Sequence, residues 1–219
     1  MLRFEGRALT CLRGARVVFT DLEFALPSGG ALVLVGPNGS GKSSLLRLMA
    51  GLSKPFSGEL LWDGGRVADD PEAHRARLRY VGHLDAVKPA LTAAENLSGW
   101  AGLSGDAGTA RDRALAALER MRIAHLAEVP GRYLSAGQKR RLNLARLALD
   151  PAPLWLLDEP TTALDRASVA RFAETIARHR EAGGMVVLST HTDLDLESPQ
   201  VLDVSDFGID PDDAAEELA

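Results

Sequence analysis

The sequence predicts an α/β domain with a mostly parallel sheet core, an antiparallel β edge and an inserted helical subdomain. Three observations predict it. Residues 31–35, 154–157 and 185–189 are short, apolar, β-rich runs of the kind buried on both faces of a parallel sheet. A glycine-rich loop joins the first run to a helical pattern. Between the first and second runs, residues from about 84 to 149 read as mostly helical, with several arginines. A chain of 219 residues accommodates one such domain with a small inserted subdomain.

Taken in order, residues 17–19 and 22–26 alternate around Thr20-Asp21, which suggests two edge-sheet strands flanking a turn. Pro27-Ser28-Gly29-Gly30 is a turn before the first buried-type strand. Residues 43–50 place Leu45, Leu46, Leu48 and Met49 at helical spacing and stop at Gly51. Residues 72–79 and 111–121 read as helices, 91–100 carries an amphipathic pattern, and 102–108 is a flexible connection. A helix over about 168–181 separates the last two buried strands. From Asp203 the sequence is acidic and poorly patterned, and residues 208–219 read as a solvated tail.

Composition is that of a globular protein, with 46% hydrophobic and 25% charged residues. The formal net charge of -5 gives no global basic field, so no nucleic acid partner is expected. Lys139-Arg140-Arg141 is a basic run, and three such residues on a helix read as a solvated face. Cys11 is the only cysteine, which leaves no intrachain disulfide and suits a reducing compartment. Residues 1–18 carry scattered arginines and no long apolar run, unlike a signal peptide. The apolar runs are too short to cross a bilayer, so a membrane process would need spans from another chain.

The chemistry is carried by three strand ends. Gly36-Pro37-Asn38-Gly39-Ser40-Gly41-Lys42-Ser43 fits the phosphate-loop pattern G-x-x-x-x-G-K-[ST]. Its glycines let backbone N–H groups close around an anion at a helix N-terminus. Lys42 would sit between the β- and γ-phosphates of ATP, and the Ser43 hydroxyl would ligate Mg²⁺. Residues 154–157 run into Asp158 and Glu159, placing two carboxylates at the carboxyl edge of the sheet. Asp158 can hold Mg²⁺, and Glu159 can orient or deprotonate an attacking water. His191, after the third strand, reaches the same edge and could contact the γ-phosphate and that water. Ser135 is a natural N-cap for a helix beginning at Ala136, and with Gly137 it forms a second anion site.

Together these segments resemble the nucleotide-binding subunits of ATP-binding-cassette (ABC) transporters. Residues 134–138 are similar to the signature LSGGQ, with Ala136 at a tolerated glycine position. Residues 36–43 resemble Walker A, 154–159 Walker B, Thr162-Ala163-Leu164-Asp165 the D-loop and His191 the switch histidine, up to about Phe207. The resemblance implies a P-loop NTPase cassette with a RecA-like core over residues 1–207. It also implies a head-to-tail dimer in which Walker A of one copy faces the signature residues Ser135, Ala136, Gly137 and Gln138 of the other across ATP, with Asp165 of the D-loop joining the nucleotide site. Ser44, following Ser43, joins the nucleotide site by the same resemblance.

Two positions depart from the general ABC pattern. Arg13 stands where an aromatic residue usually stacks on adenine, and a guanidinium can also stack on a base. His83 stands at the Q-loop position, where a neutral imidazole could reach metal-bound water. With Lys88, Leu91-Thr92, Glu95-Asn96-Leu97 and Pro151-Ala152-Pro153-Leu154-Trp155, these features resemble the haem-exporter ATPase family of cytochrome c biogenesis. That resemblance implies integral membrane permease partners of the cytochrome c maturation type and a peripheral place on the cytoplasmic face of a bacterial inner membrane. It implies a partner helix received by a groove from His83 to Pro89 and the start of the inserted helices. The ATPase of another small exporter would share every catalytic motif.

Overall fold

The computed structural model describes residues 2–104, 107–191 and 194–208. The acidic tail therefore lies outside the described residues, apart from Gly208. Two sheets form. Strands β1 (Arg3–Arg13), β2 (Arg16–Pro27), β4 (Ser57–Trp62) and β5 (Gly65–Arg66) pair antiparallel in the order β2-β1-β4-β5. Strands β3 (Ala31–Val35), β6 (Leu78–Val81), β7 (Leu154–Asp158), β8 (Met185–Ser189) and β9 (Gln200–Asp203) form an all-parallel sheet in the order β6-β7-β8-β3-β9.

The expected break at Thr20-Asp21 is absent. Strand β2 runs through it, and Asp21 absorbs the irregularity with a φ of 50°. The antiparallel strands make a sheet of their own against the parallel one. Period-two alternation sorts the parallel sheet's residues between two layers. Leu32, Leu34, Leu154, Leu156, Met185 and Val187 pack with α1 (Lys42–Met49) and with Phe4, Phe19 and Leu22 of the antiparallel sheet. Val186, Leu188, Trp155 and Leu157 face Phe172 and Ile176 of α6 (Arg166–Glu181).

Between β6 and β7 lie α3 (Ala93–Ser104), α4 (Ala110–Arg120) and α5 (Ala136–Ala145). Their apolar residues, among them Leu97, Leu118 and Leu142, form a third cluster with Ile123 of the α4–α5 connection. Helix starts are specified locally. Thr92 and Glu95 exchange side-chain bonds with each other's backbone N–H before α3, a capping box. Helix α3 continues through Gly102, where sequence suggested a loop. The helix expected over 72–79 stops early, as α2 (Pro71–Ala76), because Leu78 enters β6.

Candidate active site

Strand β3 ends at Val35 and the chain turns sharply into α1. Gly36 and Gly41 hold φ values of 120° and 109°, and a Cβ on Gly41 would lie 2.6 Å from Val18 Cγ1. Only glycine fits both the conformation and the space. Lys42 is buried at 8% exposure, and its Nζ donates to the carbonyls of Gly36 at 2.6 Å and Pro37 at 2.9 Å. The ammonium is thus held over the loop's own concavity. Ser40 Oγ, inside the loop, is buried with no hydrogen-bond partner among the described residues.

The neighbouring strand ends complete the edge. Asp158 and Ser189 are register partners at the carboxyl ends of β7 and β8. Ser189 Oγ donates to Asp158 Oδ1 at 2.8 Å, and the Ser43 hydroxyl donates to the same oxygen at 3.1 Å. A hydroxyl and a carboxylate oxygen in one place, few in number, suit a hard cation that takes its other oxygens from phosphate and water. Glu159 sits in the left-handed region at φ 50°, with its N–H bonded to the carbonyl and the Oγ of Ser189. His191 Nε2 lies 3.4 Å from Glu159 Oε1. This arrangement can polarise a water between a carboxylate and an imidazole.

Lys42, Ser43, Asp158, Glu159 and His191 line one cleft of about 620 Å³, together with Asn38, Gly39, Gly41 and Ser44 of the loop region. Arg13 and His83 also line it, so the two departures from the general ABC pattern reach the same site. Gly36 and Pro37 contribute through their carbonyls to Lys42. Sequence reasoning missed Arg16, which lines the cleft, and Ser189, which orients Asp158; Thr162, read as the first residue of the D-loop, lines the cleft as well.

Ser135, Ala136, Gly137 and Gln138 stand apart from this cleft, at the start of α5. Ser135 Oγ accepts from Gln138 N–H while Gln138 Oε1 accepts from Ser135 N–H, a closed capping box. A Cβ on Gly137 would lie 2.7 Å from the carbonyl of Ala163, so α5 touches the loop after β7 at its first turn. Asp165 caps α6 by accepting from Ser168 N–H at 2.7 Å. Hydrogen bonds from the Ser168 side chain and backbone hold its carboxyl below the ordinary range.

Arg140 corrects the reading of residues 139–141 as a solvated face. Its side chain is 2% exposed and lies between the Glu159 segment and the loop after β6. The basic run is split by helix geometry: Arg140 is buried while Lys139 and Arg141 are half-buried.

Comparison with known proteins agrees with this geometry. Residues 19–162 match the family model described as ABC transporter. The chain belongs to the ABC transporter family. Among curated ABC relatives, a protein of Rhodospirillum rubrum named "Cytochrome c biogenesis ATP-binding export protein CcmA" is 59% identical over 97% of this chain and 90% of its own length. The protein of the same name from Paramagnetospirillum magneticum is 57% identical over 98% and 97%. Solved ABC structures share the fold. A putative ABC transporter ATP-binding protein from Pyrococcus furiosus superposes with a TM-score of 0.79 at 22% identity, covering 94% of this chain and 100% of that one. An ATP-binding subunit of an ABC transporter gives 0.79 at 26% identity, covering 98% of each.

Proposed function

We propose that this chain is the ATP-hydrolysing subunit of an ABC export complex that energises haem export, or release of a haem-loaded chaperone, during cytochrome c maturation. The observation that carries the reading is near-full-length identity of 57–59% to two proteins named for that process. The assembled cleft supports the chemical half. Lys42 would leave the Gly36 and Pro37 carbonyls for β- and γ-phosphate oxygens. Ser43 and Asp158 would hold Mg²⁺, with His83 beside them. Mg²⁺ supplies charge neutralisation on the phosphates and a fixed orientation for them. Glu159 would take the proton of the attacking water, and His191 would hold that water toward the γ-phosphate.

Arg13 and Arg16 offer guanidinium planes for the base in place of an aromatic ring. The capped helix start at Ser135–Gln138 is outside the cleft of its own chain, which supports its use by a second copy across ATP. Residues 1–207 would then act as a single cassette, with 84–149 as the inserted subdomain.

For the membrane partner, one surface fits. Leu84 is 83% exposed on a loop otherwise pinned by Asn96, whose side chain accepts from Lys88 N–H and donates to the carbonyls of Lys88, Leu91 and Thr92. A separate groove of about 380 Å³ is lined by Leu52, Tyr80, Trp100 and Leu103 and by none of residues 83–89. Arg146 stacks on Trp100 at 3.7 Å, its guanidinium pushed down to about 10 by burial and by Arg79. No helix among the described residues is long and apolar enough to cross a membrane. Partner-mediated attachment at the cytoplasmic face follows from the reading.

The test is Glu159→Gln, purified from membranes with its partners. The variant should bind Mg-ATP, stall without turnover and sediment as an ATP-dependent pair. A monomer at saturating Mg-ATP would refute the sandwich. Partners unrelated to cytochrome c assembly would refute the haem assignment.

A further inference from the structure

Arg140 stands out among buried charges that the reaction does not itself use. It is the largest fully buried side chain, and its guanidinium has five N–H donors. Nε donates to the Pro160 carbonyl at 3.1 Å. Nη2 donates to the carbonyls of Asp158 at 2.8 Å and Glu159 at 2.5 Å. Nη1 donates to the Gly82 carbonyl at 3.0 Å and to Asp85 Oδ1 at 3.2 Å, with the His83 carbonyl at 3.5 Å beside them. Every donor is therefore engaged, by two loops that leave β6 and β7 side by side.

Three of those acceptors are consecutive carbonyls centred on Glu159, whose backbone is in the left-handed region at φ 50°. A non-glycine residue keeps that conformation only where its surroundings over-determine it. On the N–H side Glu159 is fixed by Ser189; on the carbonyl side it is fixed by Arg140. The other half of the guanidinium holds the loop that carries His83. Asp85 is the carboxylate it meets, at 26% exposure, and Asn143 of the same helix also donates to it at 3.4 Å.

We propose that Arg140 is a positioning residue: it fixes the Glu159 carboxylate for water activation and ties that placement to the His83–Asp85 loop. Lysine cannot substitute, because a single ammonium spans one loop but not both. This rests on the ATPase reading above. Because Arg140 reaches only backbone carbonyls and Asp85, its loss should leave ground-state ATP binding intact and act on the chemical step.

The experiment compares wild type, Arg140→Lys, Asp85→Ala and the double variant. Each is purified with its co-isolated membrane partners and normalised to sites that bind Mg-ATP. Arg140→Lys should lower kcat by roughly ten- to a hundredfold, the range a misplaced catalytic group costs. Its KM and equilibrium Mg-ATP affinity should stay within about twofold. Asp85→Ala, which frees only the His83 side of the clamp, should lower kcat by roughly three- to tenfold. The double variant should be no slower than Arg140→Lys, because both changes cut one connection. A purely structural arginine would reduce the number of binding-competent sites and leave kcat per site unchanged; that result overturns the proposal. Should Arg140→Lys fail to fold, Asp85→Ala decides alone, and unchanged kcat overturns it. Wild type that binds but never turns over ATP overturns the ATPase reading itself, an outcome distinct from wild-type-like variants.

Discussion

Replacing Ser189 with alanine should loosen Asp158 while sparing the rest of the edge. Ser189 Oγ makes two bonds, donating to Asp158 Oδ1 at 2.8 Å and accepting from Glu159 N–H at 3.1 Å. The second is backed up, because the Ser189 carbonyl also accepts from Glu159 N–H at 3.1 Å and survives the change. The loss therefore falls on Asp158, which is 4% exposed. A hydrogen bond to a buried charged acceptor contributes about 1.5–3 kcal/mol, and the unfolding free energy should drop by that order. Metal binding should suffer more visibly. Once Ser43 turns its hydroxyl to a cation, Ser189 is the remaining described donor to that carboxylate oxygen. Losing an orienting contact of this type weakens metal affinity by about 10- to 100-fold. Titrating Mg²⁺ into ATP turnover at fixed saturating ATP reads the effect, with urea unfolding alongside. A Mg²⁺ midpoint within twofold of wild type would refute the role given to Ser189.

Lys42→Ala removes the two bonds to the Gly36 and Pro37 carbonyls and the cation meant for phosphate. With charge-assisted bonds at about 1.5–3 kcal/mol each, ATP affinity should fall by at least a hundredfold in equilibrium binding. His83→Ala should slow turnover or its coupling to cytochrome c production several-fold while ATP affinity holds; unchanged turnover and unchanged cytochrome c production would sink that role. Acid should destabilise the fold before the carboxylates titrate. His74 is 1% exposed, and its Nε2 contacts the Met49 carbonyl at 2.7 Å while Nδ1 has no partner among the described residues. Burial, then Arg77 and Arg75, press its pKa below 6.5, and burial does the same to His179. Both histidines fold neutral, so the unfolded chain takes up protons first. Their contribution is full above about pH 6.5 and is lost as pH falls from there toward the depressed folded values. Each can add at most about 1.4 kcal/mol per pH unit. Urea midpoints between pH 7.5 and 5.5 should fall accordingly, and His74→Gln should flatten that slope.

The sheet was legible in its middle and obscure at its rims. Strands β3, β7 and β8 are central, so both faces and both edges are covered and the sequence reads as an unbroken apolar run. Strands β6 and β9 are the two outer members of the same sheet. Each pairs on one side only, and each carries polar or exposed residues: Arg79 and Tyr80 in one, Gln200 and Val201 in the other. That mixture let residues 78–79 read as helix and Asp203 as the start of a tail. Strand β1 hid for another reason: its register shifts repeatedly against β2, which breaks the period-two pattern.

The site was legible where its chemistry is contiguous in sequence and opaque where it depends on distant neighbours. The loop Gly36–Ser43 and the pair Asp158-Glu159 announce themselves by local pattern. Ser189 and Arg140 act through residues 31 and 18 to 58 positions away. Yet α5 and the 3-10 turn that continues it, residues 136–149, did carry a signal for Arg140. Leu142, Ala145 and Leu149 mark one apolar stripe, which packs on the inserted helices. Leu144 and Leu147 mark a second, which packs on the parallel sheet. A helix with two apolar stripes is buried on two faces. Arg140 precedes Leu144 and Leu147 at positions i, i+4 and i+7, so it falls on the sheet-facing stripe one turn before the leucines. A guanidinium on such a stripe must point at acceptors rather than at water. The acceptors it finds are the carbonyls at the ends of β6 and β7, where the cleft begins.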